Sequence, residues 1–164
     1  MTRDRAKAGW RVWVALGLFV GACFGAAGVG QVLSGGEPGA WYRGLRKPAL
    51  TPPGWVFGPV WTALYVCMGV AAWWVWRRRG FGGARAALTA FAVQLVLNAA
   101  WTGLFFGLQR PDVAFGEIVA LWVAIVVTTA LFFRASALAG WLMVPYLLWV
   151  SFASYLNFGF WRLN

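Results

Sequence analysis

The sequence predicts an all-α, polytopic membrane protein, a five-transmembrane-helix bundle. Three observations predict it. Of the 164 residues, 62% are hydrophobic and only 11% are charged, against about 25% charged in an ordinary soluble domain. That leaves too little polar surface to solvate a globule. The apolar residues fall in five runs, at approximately 10–33, 53–76, 84–107, 113–133 and 138–160. Each matches the roughly 20 residues that cross a bilayer as a helix. Basic residues and Pro/Gly-rich joints mark the ends of these runs, so residues 1–164 read as one membrane domain.

The first run, from Trp10 to Leu33, is too long for the core of a signal peptide and lacks a convincing cleavage site, so it is expected to remain as a span. Gly17, Gly21 and Gly25 recur at every fourth residue, a stripe that lets another helix approach closely, within the chain or from a second copy. Residues 34–52, SGGEPGAWYRGLRKPALTP, form the longest loop. A plain linker has no need of Trp41, Tyr42 and Leu45, whose spacing suits an amphipathic turn lying on the membrane or over a pocket mouth.

The second run opens on Pro53, which suits a first helical turn, and holds Pro59, which predicts a kink. Arg77, Arg78 and Arg79 close it before a Gly-rich turn. In the third run Gln94, Asn98 and Thr102 are spaced by four and share one face. Gln109 to Asp112 form a tight joint. The fourth run carries Glu117 near its start, expected at the interface and paired with a basic residue or water. The fifth contains Pro145, Tyr146, Trp149, Ser151, Ser154 and Asn157.

The net charge is +10, from 14 Lys and Arg against 4 Asp and Glu. In a soluble chain this would suggest nucleic acid. Here the basic residues flank the spans, so no nucleic-acid partner is expected and anionic headgroups are. Nine basic residues (Arg3, Arg5, Lys7, Arg11, Arg77, Arg78, Arg79, Arg85 and Arg134) fall on one side. Five (Arg43, Arg46, Lys47, Arg110 and Arg162) fall on the other. This bias predicts a cytoplasmic N-terminus.

The inventory for acid–base or metal chemistry is thin. There is no histidine, no phosphate-binding glycine loop, no nucleophile elbow and no metal-ligand cluster, so no metal site and no obligatory cofactor are expected. Cys23 and Cys67 lie within apolar runs and read as small buried hydrophobes, with a disulfide left open. Aromatic surface is abundant instead: 13 Trp, 13 Phe and 4 Tyr. Trp10, Trp13, Trp73, Trp74, Trp76 and Trp161 sit near span ends, as an interfacial belt would. Trp61, Trp101 and Trp149 lie deeper, each near a polar residue of its own helix (Thr62; Asn98 and Thr102; Ser151) that could meet its indole N–H. Asn98 and Asn157 either bond between helices or serve a shared pocket suited to a large, flat, apolar ligand.

These residues also carry a family resemblance. The chain contains Trp41-Tyr42-x-x-Leu45-x-Lys47-Pro48, Thr51-Pro52-Pro53 and Trp61-Thr62-x-Leu64-Tyr65. It continues with Gln94-Leu95-x-Leu97-Asn98-x-x-Trp101-Thr102-x-x-Phe105-Phe106, Val144-Pro145-Tyr146-Leu147-x-Trp149 and Leu156-Asn157. In this it resembles the TspO/MBR family, the tryptophan-rich sensory proteins related to the mitochondrial translocator protein. The resemblance implies a five-helix bundle, usually a homodimer, whose pocket beneath the first loop binds porphyrins and other hydrophobic molecules. Carried over by motif, the ligand-binding residues are Trp41, Tyr42, Trp61, Tyr65, Asn98, Trp101 and Trp149. Ala153, one turn after Trp149, is the small residue that lets helices close around the site. The family's sterol pattern is broken: six residues separate Tyr155 from Arg162, one too many, and Phe158 stands where better spacing would place Tyr.

Three functions are weighed, the first two implied by the resemblance. The first is a receptor, sensor or transporter for tetrapyrroles such as protoporphyrin IX or haem. The second is light- and oxygen-dependent porphyrin breakdown using Trp61 and Trp149. The third is a structural or scaffolding role resting on the small-residue faces. The Ala/Gly/Arg-rich composition and short C-terminus predict a bacterial source.

Overall fold

A backbone in lipid must satisfy its own hydrogen bonds, and helices do so within one segment. The computed structural model describes residues 2–36 and 39–164. Met1 and the loop residues Glu37 and Pro38 lie outside them, as do the side chains of residues 2–9, including Arg3, Arg5 and Lys7 of the charge bias. In chain order the elements are α1 (Thr2–Leu33), the short α2 (Ala40–Gly44), α3 (Gly54–Thr102) with a π-helical turn at Gly103–Gly107, α4 (Pro111–Ala135) and α5 (Ala137–Leu163).

Four helices are long and apolar enough to cross a membrane, and one of them spans Gly54–Gly107. As a straight rod the 49 residues of α3 would run about 74 Å, more than twice the hydrocarbon core. The rod is broken at Gly80, where φ is 64° and ψ 177°, backbone angles that a side chain would oppose. Beyond it the chain folds back. The Tyr65 hydroxyl donates to Asn98 Oδ1 at 2.9 Å, which sets residues 54–79 (limb one) antiparallel to 81–102 (limb two). The second and third expected spans are these limbs, and the chain makes five crossings. Pro59 and Pro145 sit inside α3 and α5, and within α3 the non-helical angles are confined to Gly80.

The ends of the helices follow local chemistry. At the end of α1, Ser34 Oγ donates to the Gln31 carbonyl at 2.7 Å, and Gly35 (φ 76°) and Gly36 (φ 106°) turn the chain away. Pro111 starts α4 where its missing N–H costs nothing. The exposed Arg110–Asp112 pair at 2.7 Å adds little at such a solvated site.

Tyr146, Phe132, Met68, Ile118, Leu121, Ile125 and Met143 are the large, fully buried apolar side chains of the core. Phe91 stacks on Phe132 at 5.9 Å and joins limb two to α4. Cys23 and Cys67 are both free. Helix α1 is peripheral, and a Cβ on Gly17, Gly21 or Gly25 would meet nothing within 4 Å, so this stripe does not pack inside the chain. The close approach lies elsewhere. A Cβ on Gly69 would sit 2.6 Å from Val20 Cα, against backbone that cannot turn aside. Gly69→Ala is therefore expected to cost about 1–3 kcal/mol by overpacking, read as a lower unfolding midpoint in detergent. Gly21→Ala, facing open space, should leave that midpoint unchanged.

The Gly80 end collects Arg77, Arg78, Arg79, Arg85 and Arg134. Arg77 lies over the Trp73 and Trp74 rings at 5.3 and 5.8 Å, and Arg78 over Trp74 at 5.5 Å. Trp10, Trp13 and Trp161 are exposed as a belt requires, but Trp73 is 6% exposed. Its indole donates to the Val12 carbonyl at 3.0 Å, tying limb one to α1.

Candidate functional site

At the opposite end from the Gly80 turn, a cavity of about 360 Å³ opens between α1, both limbs and α5, beneath α2. Its size falls within the roughly 300–1,000 Å³ of small-molecule sites. Limb one contributes Phe57, Trp61 and Tyr65, spaced by four and therefore on one face. Trp61 stacks on Tyr65 at 5.4 Å and 28° and meets Tyr146 edge-on at 6.2 Å. Helix α5 contributes Trp149 and, one turn on, Ala153. Phe57 lies edge-on to Trp149 at 5.8 Å. Limb two contributes Trp101 and Thr102, the π turn Phe106, and α1 Ala27 and Gln31.

A polar layer behind these rings fixes them. Asn98 is 3% exposed. Its Oδ1 accepts from the Tyr65 hydroxyl, and its Nδ2 donates to the Tyr146 hydroxyl at 3.1 Å. Trp101 Nε1 donates to Asn157 Oδ1 at 2.9 Å, and Asn157 Nδ2 donates to the Pro111 carbonyl at 2.7 Å. Both asparagines thus bond between helices, joining both limbs, the start of α4 and α5.

The loop closes over this end. The Tyr42 ring contacts Phe106 at 5.5 Å and Phe160 at 5.6 Å, and Lys47 Nζ lies 5.3 Å from its centre. Burial pushes the Tyr42 hydroxyl above its ordinary pKa. The Arg46 N–H donates to Asn164 Oδ1 at 2.9 Å, and Asn164 Nδ2 donates back to the Arg46 carbonyl at 3.1 Å. Pro48 packs directly on Gly159, where a Cβ would lie 2.6 Å from its Cγ.

Of the eight residues that the motifs single out, Tyr42, Trp61, Tyr65, Trp101, Trp149 and Ala153 line this cavity. Trp41 does not. It packs edge-on to Phe105 at 6.0 Å, in the cluster that supports the lid. Asn98 stands behind the wall, its amide engaged by two tyrosines. The indole partners expected within each helix are also corrected. Trp101 bonds across to α5, Ser151 accepts from Trp122 Nε1 at 2.8 Å, and Thr62 donates to the Gly58 carbonyl. Glu117 is not paired with a basic residue: both carboxylate oxygens are buried without a hydrogen-bond partner, as are both amide atoms of Gln94. Sequence reasoning passed over Ala27, Gln31, Gly54 and Phe57. Phe57 was within reach, four residues before Trp61. Ala27 and Gln31 depend on how α1 docks, which spacing within one helix does not encode.

Among the described residues no group of three or more His, Cys, Asp or Glu side chains could hold a metal ion. What the cavity offers is aromatic contact with a few neutral polar groups.

The TspO/MBR family model matches residues 8–162. The chain is 42% identical over 154 residues to the tryptophan-rich protein TspO of Chlorobaculum tepidum, covering 91% of this chain and 95% of that one. It is 40% identical to the tryptophan-rich sensory protein of Cereibacter sphaeroides, covering 93% and 92%. It is 37% identical to the human translocator protein, covering 95% and 88%. With the family matched across nearly its whole length and five crossings laid out around an aromatic cavity, the chain is an integral membrane protein that belongs to the TspO/MBR family.

Proposed function

We propose that the protein is a membrane receptor for tetrapyrroles, protoporphyrin IX or haem, and for other flat hydrophobic molecules, acting as a sensor or transporter. The observation that carries this reading is the cavity itself. Trp61, Tyr65, Trp101 and Trp149 present ring surface to one space, with Tyr42 over its mouth. A macrocycle buries its faces against such walls, and aromatic pairing adds to the area buried. Gln31 and Thr102, both on the cavity wall, take the polar role expected of Asn98, whose amide is already engaged by Tyr65 and Tyr146. Arg43, Arg46 and Lys47, on the lid loop, are the cations available to meet propionates at the cavity mouth. Relatives bearing the names sensory protein and translocator protein support the sensor or transporter part of this reading. The charge bias supports a cytoplasmic N-terminus and a lid on the far side.

Titration of the purified protein with protoporphyrin IX in the dark, followed by tryptophan quenching, tests the proposal. Saturable quenching is expected. Trp61→Phe and Trp149→Phe should each weaken binding by about fivefold, the loss of roughly 1 kcal/mol of ring contact. Absence of quenching removes the proposal, and full affinity in both variants moves the site elsewhere. Because Trp61 and Trp149 face the same ligand space, oxidative breakdown under light is the second reading. A new product spectrum on illumination in air, lost in either variant, would establish it.

A further inference from the structure

The aromatic cavity makes no use of Glu117, a carboxyl inside a membrane helix. It stands six residues into α4, about 9 Å along the axis from Pro111. The residue is half-buried, yet both carboxylate oxygens are enclosed and make no hydrogen bond. The exposed part is therefore the apolar stem, and the head group is turned into the protein. This reverses the usual behaviour of a charged side chain near a helix end, which keeps its head in water.

No cation among the described residues engages it. On α4, Asp112 is paired with Arg110 at 2.7 Å, and Arg134 lies in the last turn. Limb two has no titratable side chain between Arg85 and its end. On the lid, Lys47 lies over the Tyr42 ring. Helix α5 carries Tyr146 and Tyr155 ahead of Arg162, limb one carries Tyr65 and Cys67, and α1 carries Cys23. The Tyr146 hydroxyl is within electrostatic reach of the Glu117 carboxyl. It accepts from Asn98 Nδ2, and among the described residues its own hydrogen is given to no acceptor.

We propose that Glu117 is an intramembrane proton-binding site, coupled through Tyr146 to the aromatic cavity. A carboxylate enclosed without a donor or a cation is costly, and a proton removes the charge. When that proton leaves, negative charge appears near the Tyr146 hydroxyl, whose hydrogen is free to turn towards it. Tyr146 meets Trp61 edge-on and shares Asn98 with Tyr65, so the change reaches the cavity wall. Negative charge behind the wall opposes an anionic ligand. Proton loss therefore weakens binding and, by reciprocity, a bound anionic ligand holds the proton in place. The coupling rests on the receptor reading above; the proton site does not.

Labelling of the full chain in phosphatidylcholine nanodiscs with N,N′-dicyclohexylcarbodiimide tests the site. This reagent enters lipid and reacts with protonated carboxyls. The carboxyl O–H adds across one C=N bond, its proton going to nitrogen and its oxygen to the central carbon. The O-acylisourea then rearranges to a stable N-acylurea, and nothing leaves. Peptide mass mapping at neutral pH should show an adduct on Glu117 and none on the ion-paired Asp112. Its formation should slow as pH rises, and Glu117→Gln should abolish it. No adduct on Glu117, or a rate indifferent to pH, overturns the proton site. The coupling is read by dark titrations with protoporphyrin IX on either side of neutral pH. Wild-type affinity should fall about fivefold towards alkaline pH, the lower end of coupling between sites, and that of Glu117→Gln should stay constant. An unchanging wild-type affinity, or an equal fall in Glu117→Gln, overturns the coupling. An adduct without any quenching supports the proton site and removes the receptor reading instead.

Discussion

Asn98→Leu is expected to lower the stability of the bundle by about 2–4 kcal/mol, because it leaves two buried hydroxyls without their partner. Bonds between membrane helices average less than buried bonds in water-soluble cores, which favours the lower part of that range. Leucine has nearly the shape of asparagine, so little packing volume changes. What is lost is the acceptor for the Tyr65 hydroxyl and the donor to Tyr146. Tyr146 is fully buried and has no route to water. Unfolding in a mixed-detergent titration measures the effect. The triple variant Tyr65→Phe, Asn98→Leu, Tyr146→Phe supplies the control. Removing all three polar groups should restore much of the loss, whereas a triple variant no more stable than the single one would assign the cost to packing. Ligand affinity should fall with the single variant as well, since the Tyr65 ring stacked on Trp61 forms part of the cavity wall. Wild-type stability in Asn98→Leu would refute the account of the polar layer.

Gly159→Val should release the lid. Pro48 rests on Gly159, and a Cβ there would lie 2.6 Å from Pro48 Cγ and 3.0 Å from its Cβ. A valine pushes the loop outward and separates Arg46 from Asn164, whose amide holds the loop backbone in both directions. Bound protoporphyrin IX should then dissociate at least about tenfold faster, the equivalent of roughly 1.4 kcal/mol of lost closure. Asn164→Ala removes the two hydrogen bonds without the steric push and should give a smaller acceleration in the same direction. The contact at Gly159 is with a loop side chain that can move outward rather than with helix backbone, so the unfolding midpoint should fall by less than for Gly69→Ala. Stopped-flow recovery of tryptophan fluorescence reads the rate. Unchanged dissociation in both variants would mean that the loop does not gate the site.

The spans were legible because hydropathy is a local property. Twenty apolar residues in lipid have one low-energy arrangement, and α1, the two limbs of α3, α4 and α5 follow the runs that composition marks out. Gly80 shows the limit of that reading. A Gly-rich turn after three arginines is visible in the sequence, but the chain turns at a single glycine with positive φ, and otherwise helix continues across both limbs. The site divides in the same way. Trp61 and Trp149 were recognisable from their motifs, and Phe57 belongs to the same helical face as Trp61. Asn98 was recognisable as costly in a membrane, but whether it faced a ligand or another helix depended on partners 33 and 48 residues away.

Sequence alone thus determined that this protein crosses the membrane five times, which family its motifs resemble, and which aromatic residues stand deep in its helices. Tertiary structure decided which of them share one cavity. It moved Trp41 into the support of the lid, placed Asn98 behind the wall, and brought Ala27 and Gln31 of α1 onto the cavity surface. The physical reason is that periodicity fixes which residues share a face of one helix. Which face meets which neighbour is settled by close contacts, such as Val20 on Gly69 and Pro48 on Gly159, made between residues distant in the chain.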